Sequence, residues 1–123
     1  MFGPSPDLQM VVLVEDDPAV LASLRFAFEL EGFHVYAHDS AEALLDAAPP
    51  PRPACFVVDQ RLPGMDGLTL VRRLRAQDPD VRAFLITTTN NDIARRAARE
   101  GVPIIDKPLV TETLVAEVRR ALA

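Results

Sequence analysis

Three short stretches of the chain are apolar along nearly their whole length rather than at every second residue: "QMVVLV" (9–14), "ACFVVD" (54–59) and "VRAFLIT" (81–87). A strand with one wet face alternates apolar and polar side chains, so an uninterrupted run must be covered on both faces. Two shorter runs, "FHVYA" (33–37) and "PII" (103–105), bring the count of expected strands to five. Between and after them lie five segments of helical period. Strands and helices in strict alternation, with no internal repeat, predict an α/β fold: a doubly wound, five-stranded parallel sheet with five helices.

The helix boundaries follow from capping chemistry. Asp17 before Pro18 starts the first helix, since a carboxylate accepts orphan N–H groups and proline suits the first helical position. Its continuation, "AVLASLRFAFELEG", offers Val20, Leu21, Leu24, Phe28 and Leu30 as an inner face and stops near Gly32. Asp39 or Ser40 caps the short helix "SAEALLDAA". "PPPRP" (49–53) reads as a stiff connector within one domain, and "QRLPGMDG" (60–67) as a turn. In "LTLVRRLRAQ", Leu68, Val71 and Leu74 face inward, with Arg72, Arg73 and Arg75 outward. "NDIARRAARE" (91–100), closed by Gly101, has a small inner face of Ile93, Ala94, Ala97 and Ala98, so it should be held less tightly than its neighbours. Arg95, Arg96 and Arg99 read as its solvated face. Thr111 is expected to cap the last helix, "ETLVAEVRRALA".

Composition narrows the function. A chain of 123 residues suits one domain. Its net charge of −5 argues against direct nucleic-acid binding through the overall field. No apolar run approaches the roughly 20 residues of a membrane-spanning helix. "MFGPSPDLQM" has no secretory pattern. The single cysteine, Cys55, lies in an apolar run and reads as a buried core thiol in a reducing, cytoplasmic compartment.

In doubly wound sheets the site lies beyond the carboxyl ends of the strands, where strand order reverses. Glu15, Asp16 and Asp17 follow the first strand, Asp59 ends the third, Thr87 ends the fourth, and Asp106, Lys107 and Pro108 follow the fifth. If strands one and three are neighbours, Glu15, Asp16 and Asp59 converge. Three carboxylates at close range repel unless a cation intervenes. Lys107 offsets one charge, and an all-oxygen set with open positions suits Mg²⁺. Asp17 is assigned to the helix cap, Thr88 and Thr89 to the turn, and His34 and His38 to no chemistry.

The motifs "VLVEDD", "VVDQRLPGMDG", "FLIT" and "DKP", in this order and spacing, resemble the receiver domain of two-component response regulators. The resemblance runs from about residue 9 to 122, so residues 9–123 are read as the receiver domain and 1–8 as an N-terminal extension. It implies the flavodoxin-like strand order 2-1-3-4-5. It implies that Asp59 accepts a phosphoryl group, that Thr87 and Lys107 contact that group, and that Glu15, Asp16, Asp59 and the backbone carbonyl of Arg61 bind Mg²⁺. It implies a cis Lys107–Pro108 bond. The donor would be a histidine kinase or phosphotransfer protein. The output would be an effector or a homodimer formed through the face of the fourth helix, fifth strand and fifth helix. The chain would be a signalling switch, not an enzyme, although it would assist its own phosphorylation and dephosphorylation. With no effector domain after the last helix, it would be a stand-alone regulator or a fragment.

Three positions depart from the pattern. Glu15 stands where aspartate is commoner, Thr88 where a small residue is usual, and Ile104 where an aromatic is usual; the stretch from Thr87 to Lys107 is also one or two residues short. The alternative is a degenerate receiver that binds partners without phosphorylation; the presence of Asp16, Asp59 and Lys107 argues against it. A nucleotide-binding enzyme would want a glycine-rich loop where "EDDPAV" stands. A phosphatase would want a second acid at Arg61.

Overall fold

The computed structural model describes residues 9–50 and 54–123. Residues 1–8, and 51–53 of the expected connector, lie outside that description. Strands β1 (Met10–Val14) and β3 (Ala54–Asp59) are buried at every position, as is β4 (Arg82–Thr87) after its first residue. With β2 (His34–His38) and β5 (Ile104–Asp106) they form one parallel sheet in the order β2-β1-β3-β4-β5. The flavodoxin-like order is therefore found as expected. β2 and β5 each begin one residue later than the sequence indicates.

Successive strand residues point to opposite faces, which divides the core in two. Val12, Val14, Phe56, Val58 and Leu85 pack under α2 (Ala41–Asp46), α3 (Gly67–Gln77) and α4 (Asn91–Glu100). Val11, Leu13, Cys55, Val57 and Ile86 pack under α1 (Pro18–Leu30) and α5 (Thr111–Leu122). Cys55 is fully buried, and desolvation pushes its thiol up to about 12, so it is a core side chain.

Asp17 caps α1, its Oδ1 accepting the N–H groups of Ala19 (2.9 Å) and Val20 (3.2 Å). Ser40, not Asp39, caps α2 through the N–H of Ala43. Thr111 is not a cap: α5 starts on it, after Val110, and no side chain accepts there. A cap must stand just before the first helical residue, so Thr111 falls one position too late. Leu30 is 72% exposed and does not belong to the inner face of α1. Two residues past buried Phe28, it has rotated about 200° around the axis. Ala94 and Ala98, each one residue and about 100° past a buried position, are exposed, so α4 buries only Ile93 and Ala97. Arg75 is no solvated residue. Its Nε donates to the Val81 carbonyl (3.2 Å) and its guanidinium also reaches the Glu100 carbonyl, tying α3 to the end of α4. Arg96 likewise departs from a solvated face, pairing with Asp66 (3.3 Å) and Asp92 (3.9 Å). No helix among the described residues is long and apolar enough to cross a membrane.

Candidate functional site

The chain runs from β1 to β2 on one side and returns to β3 on the other, so strand order reverses between β1 and β3. Val14 pairs with Val58, which sets Glu15 beside Asp59 one step beyond. Both carboxylates are 4% exposed, while Asp16 is open to solvent. Carboxylate oxygens of Glu15, Asp16 and Asp59 all lie within 4.8 Å of one another. Lys107, just past β5, extends its Nζ to 3.4 Å from Asp59 Oδ1. The Arg61 N–H donates to the same oxygen at 3.2 Å. The Asp17 N–H donates to Glu15 Oε2 at 3.1 Å. Thus Glu15, Asp16, Asp59, Arg61 and Lys107 are gathered on one surface.

One ammonium, paired with Asp59, stands beside a cluster of three acids. Burial pushes Glu15 up to about 7, and the neighbouring Asp59 charge pushes the same way against the Asp17 hydrogen bond. A hard divalent cation would fit this donor set: the candidate ligands are all oxygen, two are buried, and the third faces solvent, where a bound ion would keep part of its water. The acids line one end of a cleft of about 670 Å³ that continues between α1 and the start of α5 along Val20, Leu24 and Leu109.

Thr87 ends the neighbouring strand β4. It is 7% exposed, lies one residue beyond Ile86, the register partner of Asp59, and is not part of the cleft wall. Its hydroxyl donates to the Thr88 carbonyl at 3.3 Å. Thr89 is more than a turn former: its N–H (3.2 Å) and its hydroxyl both donate to Asp106 Oδ1. Lys107 returns the connection, its N–H donating to the Thr87 carbonyl at 3.0 Å. The Lys107–Pro108 bond is cis.

Gln60, just after β3, and Gly67, the first residue of α3, hold the site in ways the sequence reading did not assign. A Cβ at Gly67 would collide with the Asp59 carbonyl and with the side chains of Leu85 and Val58, so only glycine lets α3 start this close to the strand end. Gln60 is 8% exposed and its side chain accepts the Leu68 N–H at 2.9 Å. The signal for it was slight: a polar residue directly after a buried strand, with a helix about to start.

The family model described as "Response regulator receiver domain" matches residues 11–119. The C4-dicarboxylate transport transcriptional regulatory protein DctD of Pseudomonas aeruginosa is 37% identical over 123 residues, covering 98% of this chain and 27% of that protein. The transcriptional regulatory protein FixJ of Bradyrhizobium diazoefficiens is 36% identical over 115 residues, covering 91% of this chain and 56% of that protein. Among solved structures, a CheY-like response regulator receiver domain protein from Methanospirillum hungatei superposes with a TM-score of 0.85 at 23% identity, over 94% of both chains. That last likeness is one of fold. The chain spans at most about half the length of these two curated relatives.

Proposed function

Since the chain belongs to the response regulator receiver family, a family of signalling domains, we propose that Asp59 is its phosphoacceptor. The observation that carries this reading is the setting of that one carboxylate. It is buried at the end of a central strand, bonded on Oδ1 by Lys107 and by the Arg61 N–H, and flanked by Glu15 and Asp16. Both donors engage Oδ1, which leaves Oδ2 as the attacking oxygen. Phosphoryl transfer asks the protein for in-line positioning and for neutralisation of charge, with little covalent work.

Glu15, Asp16, Asp59 and the Arg61 carbonyl would hold Mg²⁺, which when bound neutralises charge on the phosphoryl oxygens. Lys107 neutralises a further charge, and Asp59 loses the Oδ1 contact as the ammonium turns to the phosphoryl group. Thr87 donates to that group once its hydroxyl leaves the Thr88 carbonyl. The donor is a phosphohistidine on a histidine kinase or phosphotransfer protein: its P–N bond breaks and the P–O bond to Asp59 forms. The same residues later assist hydrolysis of the acyl phosphate. The charge added, roughly −1.5 to −2, shifts a two-state equilibrium that is read on the face of α4, β5 and α5 by an effector or a second copy, in the cytoplasm. The degenerate-receiver alternative loses ground because the acids and Lys107 are not only present but assembled.

With Mg²⁺ and acetyl phosphate, the intact mass should rise by one phosphoryl group, and Asp59→Asn should abolish the rise. Labelling that persists in Asp59→Asn would place the acceptor elsewhere.

A further inference from the structure

We propose that Gln60 is a positioning residue for the metal and phosphoryl site, acting through the Gln60–Arg61 peptide and the start of α3. The proposal rests on the phosphoacceptor reading of Asp59 and adds a residue to it.

The first N–H groups of a helix lack partners within it. In α3 the first three, on Gly67, Leu68 and Thr69, are accounted for, and Gln60 takes two of them. The Gly67 N–H donates to the Gln60 carbonyl (3.1 Å) and the Leu68 N–H to Gln60 Oε1 (2.9 Å). Asp66 Oδ1 takes the third, Thr69 N–H (2.9 Å), and the Asp66 carbonyl accepts the first regular bond of the helix, from Leu70 N–H (3.1 Å). Gln60 is also anchored from behind, its own N–H donating to the Ile86 carbonyl of β4 at 2.9 Å. One buried residue therefore closes the loop 61–66 at both ends.

The consequence for chemistry lies in one peptide group. The carbonyl of Gln60 and the N–H of Arg61 share a plane. The carbonyl end is held by Gly67, and the N–H end is held by Asp59 Oδ1 at 3.2 Å. With that plane fixed at both ends, only the torsions of Arg61 itself remain to aim its carbonyl, the backbone group assigned to the metal. Removing the Gln60 acceptor orphans a buried N–H at Leu68 and frees the helix start that holds the plane. The Arg61 carbonyl and the Asp59 carboxylate then lose their shared reference. Groups that orient ligands in this way commonly change metal affinity by about tenfold or more when altered.

The test measures Mg²⁺ alone, by calorimetric titration and by the thermal midpoint with and without the ion. Gln60→Met keeps length and burial but removes the acceptor, and it should weaken Mg²⁺ binding about tenfold. Gln60→Glu keeps the acceptor and should bind Mg²⁺ at least as tightly as the parent chain. A Gln60→Met protein that melts lower without metal yet binds Mg²⁺ with unchanged affinity would show a purely structural cap and overturn the proposal. Weaker binding by Gln60→Glu would overturn it as well. Should Gln60→Met fail to fold, Gln60→Asn, whose acceptor is one methylene short of Leu68, serves the same comparison. Asp16→Asn separates the role of Gln60 from the metal site itself. Binding lost in Asp16→Asn but intact in Gln60→Met refutes only the role of Gln60. Equal binding by the parent and Asp16→Asn refutes the metal site itself.

Discussion

Lys107 reaches across the end of β4 to place its ammonium 3.4 Å from Oδ1 of Asp59, so the end of β5 and the end of β3 meet through a single ion pair. The aspartate is buried and the lysine is partly exposed, with 37% of its side chain accessible. The pair is therefore asymmetric: losing the lysine strands a buried charge, whereas losing the carboxylate relieves a crowded cluster.

Lys107→Ala should lower the stability of the metal-free protein by about 1–2 kcal/mol, less than the ~3–5 kcal/mol of a fully buried pair because water reaches the lysine. Asp59→Asn should do the opposite and raise it by about 1 kcal/mol, since one of three close acids becomes neutral. Urea unfolding without Mg²⁺ checks both. A stabilised Lys107→Ala would show that the ion pair does not operate in solution.

Glu15 makes the metal-free protein sensitive to pH. Its folded pKa is raised by burial and by Asp59 from an ordinary 4.5 to about 7. The folded state thus holds this proton more tightly than the unfolded chain. Stability from this group is full below pH 4.5, falls as pH rises toward 7, and stays low above it. The loss is on the order of 3 kcal/mol. Because other groups titrate in the same range, the informative quantity is the difference between the parent and Glu15→Gln. That difference should grow from pH 4.5 to 7 in favour of the glutamine variant; a constant difference would refute the coupling.

Asp66 has two tasks. Its Oδ1 caps α3 and its Oδ2 pairs with Arg96 of α4, and the Thr69 hydrogen bonds together with Arg96 hold its pKa down against burial. Asp66→Ala should cost about 1–2 kcal/mol, mostly through the lost cap. Arg96→Ala leaves the cap and removes the half-exposed pair with Asp66 together with the longer, exposed contact to Asp92, and should cost less than about 1 kcal/mol. Equal losses in denaturant unfolding would mean that the ion pair, not the cap, dominates.

Switching should be concentrated on the β4–α4 segment. Ile104 carries no ring to turn inward, and its β-branch restricts χ1. Thr87 and Thr89 are instead tied to Thr88 and Asp106, and α4 buries only Ile93 and Ala97. In complex with beryllofluoride, amide exchange should change over residues 87–100. A change centred on residues 103–106, with α4 unaffected, would contradict this.

The strands, the sheet class, the Asp17 cap and the chemical types at the strand ends were legible in the sequence, because each is written in local order. An apolar run needs two covers, and an acid before proline caps a helix, wherever the chain later goes. What lay beyond reach was every property set by a neighbour distant in sequence. Leu30 reads as an inner residue until the rotation from Phe28 turns it outward. Arg75 and Arg96 read as solvated until α3 and α4 are set side by side. Gln60 is one polar letter in a turn until the Leu68 N–H arrives at its side chain. The tertiary structure alone decides that Glu15, Asp16 and Asp59 lie within 4.8 Å while Thr87 faces its own neighbour. Periodicity and caps report a residue's relation to its own element, whereas a site is made of distances between elements, and these are fixed only when the two faces of the sheet have been packed.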